Sequence, residues 1–423
     1  MIEKLKNILA KKNVENWKLN VYKEDSREFF FLEKNMDMNR RVVFEEYTLT
    51  IYKYLEGKKL SFVSFNIEPT MNEKEIEELL NNEINNLKYV ENDYFPLIEN
   101  NKGNFNNGKI VDFNDILKKI YDEIYIDYED INFFINSSEI FIKNVEERVI
   151  NSKGVELSSL NSIIQIDYVI TYKGDEEVEI NDFIEFSDYK EGFISNRIKD
   201  KILNAKSRSH CKNIVSINNV PVIINENDVK EFFEYYIQKC SADYIYKDYS
   251  NYKINDFVQK TSEKGDLINL NLISDMKNST FSNNFDEDGV LFEDKNIINE
   301  GKLINIWGDS RYSYYLGIEP TGFAYNFEVK GGKYNNIGLR KSNYIEIMEF
   351  SDFQVDYITG DFGGEIRLAR YFDGSSILAF SGGSISGNVK ENESTFNFSK
   401  EVNQLNNFIG PKSLKLFNVN ISF

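Results

Sequence analysis

One histidine, two cysteines and a surplus of carboxylates set the chemistry open to this chain. His210 is its sole histidine and stands beside Cys211; Cys240 is the other cysteine. A lone imidazole excludes a two-histidine zinc site, and any Ser–His–Asp or Cys–His triad would have to be built around it. Adjacent His210 and Cys211 would point to opposite sides of a strand, so a surface or interface histidine beside a buried thiol is the expected arrangement. Two cysteines cannot make a disulfide scaffold, and a reducing compartment is the natural reading. Gly382-Gly383-Ser384-Ile385-Ser386-Gly387 has the glycine spacing of a P-loop, but Asn388 replaces the lysine and no helix is expected to follow. Phe285-Asp286-Glu287-Asp288-Gly289 resembles the start of a calcium loop, yet its glycine comes too early, and a β-turn explains it better. Carboxylates are so frequent that no acid/base pair of the glycosidase type stands out.

The composition points the same way. The 423 residues carry 50 Lys and Arg against 69 Asp and Glu, a formal charge of −19, and 41% hydrophobic residues. Such a chain can bury sizeable cores, and its length suggests two or three domains. Duplex nucleic acid and anionic membrane surfaces are disfavoured partners, because both call for clustered Lys and Arg. Only five prolines occur, and the abundance of Asn, Lys, Ile, Phe and Tyr reads as a compositional bias of the coding genome. The N-terminal residues Ile2, Leu5, Ile8 and Leu9 make an amphipathic helix, not a signal peptide, and no run is long enough to span a membrane. A soluble, cytoplasmic protein is expected.

The elements that would position these residues follow from hydrophobic period. Arg41 to Tyr54 and Lys59 to Ile67 read as a hairpin around Gly57, and Asn72 with Glu75 opens a helix with a capping box. Residues 98 to 110 read as a polar loop, followed by a helix bearing Ile116, Leu117, Ile120, Tyr121 and Ile124. Strands are expected at Glu139 to Lys143, Glu147 to Asn151 and Ser162 to Tyr172, with a helix over 192–206. Two more short strands, Asn213 to Ile217 and Val220 to Ile224, precede a helix from about Asn227 with Val229, Phe232, Phe233, Tyr236, Ile237 and Cys240 on one side. Beyond residue 265, short apolar runs alternate with glycine turns, as a multi-stranded sheet or barrel requires. The expected class is α+β in two domains: residues 1–208, a sheet with packed helices, and residues 209–423, strand-rich and barrel-like.

Several segments, taken in order, carry a family likeness. They are Arg148 to Gly154 (RVINSKG), Asp286 to Val290 (DEDGV), Ile298 to Leu303 (INEGKL), Tyr315 to Gly317 with Pro320 to Ala324, Val355 to Phe362 (VDYITGDF), and Gly382 to Asn388. In order and spacing this chain resembles the TldD/PmbA (TldD/TldE) family of zinc metallopeptidases. The family's catalytic subunit holds zinc with a His-Glu-x-x-x-His helix and a cysteine near the C-terminus. Here the corresponding helix reads Val229 to Lys239 (VKEFFEYYIQK), without histidine, and no cysteine follows Cys240. Glu231 and Glu234 remain on it and are expected to be solvated flanks of an amphipathic helix. The resemblance therefore implies a PmbA/TldE-like subunit with no catalytic or metal-binding residues of its own and no cofactor in this chain. It implies zinc in a TldD-type catalytic partner forming a heterodimer, and an extended peptide as substrate for proteolysis or maturation. Gly360, Asp361, Gly387 and Asn388 match family motifs and are the weak binding candidates, expected to shape turns. The competing expectations are a free-standing homodimeric peptide-binding or scaffold protein, and a hydrolase built on carboxylates alone.

Overall fold

The computed structural model describes residues 1–106, 110–211, 217, 220–260, 265–322 and 325–423. The first half is one twisted sheet covered by helices. Its strands are β1 (Asn16–Leu32), β2 (Asn35–Leu55), β3 (Lys59–Ile67), β4 (Asn92–Asp93), β5 (Lys102–Asn106), β6 (Phe133–Asn151), β7 (Glu156–Lys173) and β8 (Glu177–Phe186). They run in the order β4-β3-β2-β1-β6-β7-β5, with β8 also paired to β7. All the pairings are antiparallel except that of β5 with β7. In β8 buried and exposed residues alternate along most of its length, as expected of a strand with one face on a core.

Helices α1 (Ile2–Lys11), α2 (Glu73–Asn86), α3 (Phe113–Ile124) and α4 (Phe193–Ser209) cover that sheet. The Asn72 capping box forms: its side chain accepts from the Lys74 and Glu75 backbone N–H groups, and Glu75 accepts from the Asn72 N–H. Two apolar clusters result. One lies under α1 and α2, with Leu5, Ile8, Ile76 and Leu80, and the other under α3 and α4, with Ile120, Ile124, Ile194 and Ile198.

In the second half, β9 (Val222–Asn225) leads into α5 (Asn227–Lys239). Two sheets then enclose α5. In one, β9 pairs in parallel with the strand Tyr344–Val355, which continues through Asp361–Phe372 to Ser384–Asn388. The other is a six-stranded sheet that includes Leu270–Leu272 and Phe327–Val329. The protein is thus α+β and sheet-rich, with its largest apolar core around α5. Among the described residues no helix is long and apolar enough to cross a membrane.

Some local expectations need correction. The polar stretch 98–110 is not all loop: Lys102–Asn106 adds to β7, because Phe105 finds Phe285 at 6.0 Å between ring centres. Glu139 to Asn151 is not two strands but part of the unbroken β6, which pairs with β1 and β7 through this stretch. Of the expected strand Asn213 to Ile217, residues 213–216 lie outside the described residues. The proposed division at residues 208/209 falls on the last turn of α4.

The turn Phe285 to Gly289 latches the halves together. Asp286 accepts from the backbone N–H groups of Asp288 and Val290, both at 2.9 Å. Gly289 has φ +85°, and a side chain there would meet Val155 of the first half. Asp288 pairs with Lys18 of β1 and accepts from the Ser310 hydroxyl at 2.5 Å. Burial alone would raise the Asp288 carboxyl, but Lys18 outweighs it and holds it below the usual range. The segment is therefore a docking turn, as the β-turn reading expects. Replacing Lys18 with Met leaves that carboxylate without its counter-charge and is expected to cost about 3 kcal/mol, read by urea denaturation at pH 7.

Candidate functional site

Helix α5 organises the second half because its apolar residues recur on more than one face. Val229, Phe232, Phe233, Tyr235 and Tyr236 are all buried. Phe232 packs edge-on against Phe362 and Phe396, and Phe233 against Phe398. The remaining stripe, Asp228, Glu231 and Glu234, follows the three-residue spacing of one helical ridge and is acidic throughout.

Glu231 and Glu234 are not solvated flanks. The Tyr357 hydroxyl lies 2.9 Å from Glu231 Oε1 and 2.9 Å from Glu234 Oε2. Burial raises the Glu231 carboxyl, and the nearby Glu234 adds to that rise. The correction has a simple cause: the segment carrying Tyr357, just after the strand Tyr344–Val355, folds over this side of the helix. Both carboxylates are thereby committed to a structural contact.

At its N-terminal end α5 opens on a cleft of about 750 Å³ between the halves, walled by α4 and β8 on one side and β9 and the strand Tyr344–Val355 on the other. A chain of charges crosses it. Arg197 grips Asp182 with Nε at 2.6 Å and Nη2 at 2.9 Å, and its Nη1 reaches Glu226 at 3.0 Å. Lys201 lies 3.4 Å from Asp182 and donates to both oxygens of Glu349, at 2.7 and 2.9 Å. Asn204 also donates to Glu349. Burial pushes the Asp182 carboxyl up, but Arg197 and Lys201 overcome this and hold it below its ordinary value.

Asp228 behaves in the opposite way. Burial, then the Glu349 charge, push its carboxyl up to about 8 despite the opposing Lys201. The folded state thus keeps a proton that the unfolded chain releases near pH 4. The proton count then makes stability fall as pH rises from about 4 to about 8. Asp228→Asn removes that loss, so its melting temperature should exceed the parent's by several degrees at pH 8 and match it at pH 4, measured by calorimetry.

The four motif candidates come together elsewhere. Asp361 and Asn388 face each other across neighbouring strands, and Asn388 Nδ2 donates to Asp361 Oδ1 at 2.7 Å and to the Thr359 carbonyl at 3.2 Å. Gly360 has φ +82° and abuts the Tyr235 ring, while its carbonyl accepts from the Val389 N–H. Gly387 sits one residue before Asn388 on the same strand. A single helical turn, Val389–Asn392, does follow, capped by Asn388, where the sequence led us to expect no helix. These residues fasten a turn beneath α5.

The zinc-binding residue types are scattered. His210 follows α4, not a strand, with Nδ1 2.8 Å from Asp175, and the neighbouring Cys211 is only half-buried. Cys240 is fully buried at the end of α5, where burial raises its thiol far above the ordinary value. Among the described residues no three His, Cys, Asp or Glu side chains are grouped to hold a metal. The donors present on α5, two carboxylates engaged by one phenol, do not fit a structural or catalytic zinc.

Residues 217–422 match the model of the PmbA/TldA metallopeptidase C-terminal domain. Over that stretch the chain is similar to the TldD/PmbA family. The fold extends the likeness over the whole length. TldE from Thermococcus kodakarensis superposes with a TM-score of 0.79 at 17% identity, covering 99% of this chain and 100% of that one. A Thermotoga maritima protein described as a candidate modulator of a DNA gyrase gives 0.79 at 16%, covering 99% of each. A Bacteroides thetaiotaomicron protein of similar description gives 0.76 at 17%, covering 98% and 96%. No curated protein matches by sequence.

The cleft charges were invisible to motif reading. Asp182, Arg197, Lys201 and Glu349 are spread over more than 160 residues, and nothing local marks them among so many carboxylates. The one usable signal is that Arg197 and Lys201 sit four apart on a helix, a spacing that shares one face. Replacing Tyr357 with Phe should leave the Glu231–Glu234 pair unbridged and cost about 1–2 kcal/mol in denaturant unfolding.

Proposed function

We propose that this chain is the non-catalytic, TldE/PmbA-like subunit of a TldD/TldE-type zinc metallopeptidase complex. In this reading the catalytic zinc sits in a TldD-type partner, and this chain completes the chamber and helps bind an extended, unfolded peptide for proteolysis or maturation. The observation that carries the proposal is the state of α5. The helix expected to bear the zinc ligands presents Glu231 and Glu234, both engaged by Tyr357, and has no histidine, and no cysteine occurs after Cys240.

Two features support a peptide-binding part. The cleft beside α5 is large enough for side chains and lined by groups of both signs. The sheet of the first half also keeps an open edge: β2 pairs with β3 only from Tyr47 onward, so residues 35–46 have β1 as their strand neighbour on one side. A strand-like peptide could add there through its backbone, with side-chain preference set by alternate residues. The work of this chain is then to hold and orient an extended substrate, not to polarise or cleave its bonds.

Metal analysis of the purified chain tests the proposal. Zinc well below one equivalent after dialysis, with no cleavage of an unfolded protein substrate, is the expected outcome. A tightly held equivalent of zinc that supports cleavage by this chain alone would overturn it.

A further inference from the structure

The cleft between the halves is lined by seven acidic and five basic side chains. Arg197 is committed to Asp182 and Glu226, and Lys201 to Asp182 and Glu349. Arg340, on the far wall, is committed to Glu346. Asp228 lines the same cleft, and among the described residues its carboxylate makes no hydrogen bond and no ion pair. The cation that acts on it is Lys201, which two other carboxylates already share. The remaining charges acting on it are Glu349 from the facing strand and Glu226 and Glu231 from its own segment, all negative.

Asp200 of α4 adds to this wall, raised by burial and by Glu226, with Arg197, Lys201 and Lys412 opposing the rise. Arg370 and Lys412 also line the cleft without an ion pair among the described residues. A carboxyl that lines an open cavity with no protein partner and resists ionisation is a candidate ligand-binding group. Asp228 does stand in the first turn of α5, where the helix dipole favours a negative charge, but there the net effect of burial and neighbours is against ionisation.

We propose that this cleft seats an organic cation, the guanidinium or ammonium of a basic peptide side chain, against the Asp228 carboxylate. The ligand would supply the positive charge that Lys201, already shared between Asp182 and Glu349, does not bring to Asp228. The inference rests on the peptide-binding reading for the source of the cation and adds to it the class of side chain. Binding requires the ionised carboxylate, so each ligand bound below about pH 8 displaces one proton to solvent. Affinity should then rise about tenfold per pH unit up to about pH 8 and level off above it.

Isothermal titration calorimetry of the full chain with three probes tests this. They are a short unstructured peptide with one central arginine, the same peptide with citrulline, and agmatine. The arginine peptide should bind at least tenfold tighter than the citrulline peptide, release a proton at pH 7, and lose that advantage in Asp228→Asn. Equal binding of the two peptides, or an arginine advantage independent of pH and of Asp228, would overturn the inference while leaving peptide binding intact. Agmatine binding with no peptide binding would support the cation site and remove the peptide as its source. Binding of none of the three would overturn the inference and weaken the peptide-binding reading with it. The pH profile of the unmutated chain carries the test even if the variant folds poorly.

Discussion

The bidentate pair of Arg197 and Asp182 is the constraint on which the arrangement of the two halves turns. It joins α4 to β8 inside the first half, and the same guanidinium reaches Glu226 at the entrance to α5. Lys201, one turn further along α4, continues the chain to Glu349 in the second half. A buried pair of this kind contributes little net stability against an apolar replacement, but losing one member strands the other. Its value is positional: it sets α4 against the entrance to α5 and so fixes the width of the cleft. Lys18 and Asp288 also link the two halves, with fewer groups.

The fold was legible where one local rule sufficed. The Asn72 capping box, the Lys59–Ile67 strand and the apolar stripes of α3 and α5 each followed from a few neighbouring residues. The reading failed where pairing across the chain decided. Lys102–Asn106 looks like a polar loop until β7 offers it an edge, and the charges of β6 look like breaks until its pairing with β1 and β7 is known. The site was less legible for the same reason. Asp182, Lys201 and Glu349 meet only because β8, α4 and a distant strand pack together, and the exposed flank expected of Glu231 and Glu234 is covered by a segment more than 120 residues away. The motif positions Gly360, Asp361, Gly387 and Asn388 came from the family likeness, and the pairing of Asp361 with Asn388, 27 residues apart, was not legible in the sequence.

Helix α5 is the centre of the largest apolar core. Aromatic residues fill most of its circumference, so the helix is held by packing and needs no metal to stay in place. Its acidic ridge is divided between two tasks. Glu231 and Glu234 are closed off by Tyr357, whereas Asp228, at the end nearest the cleft, is left facing the space between the halves. The scarcity of histidine and cysteine noted in the sequence and the carboxylate surplus thus converge on one helix, which the proposed role uses for shape and charge.

Reconstitution tests the central claim most directly: cleavage of an unfolded peptide by a zinc-bearing TldD-type homologue from the same source, assayed alone and with this chain added. The account predicts that the homologue alone is inactive or nearly so, and that activity appears with one equivalent of this chain and vanishes with chelator. Full activity of the homologue without it, or no physical association between the two, would contradict the account.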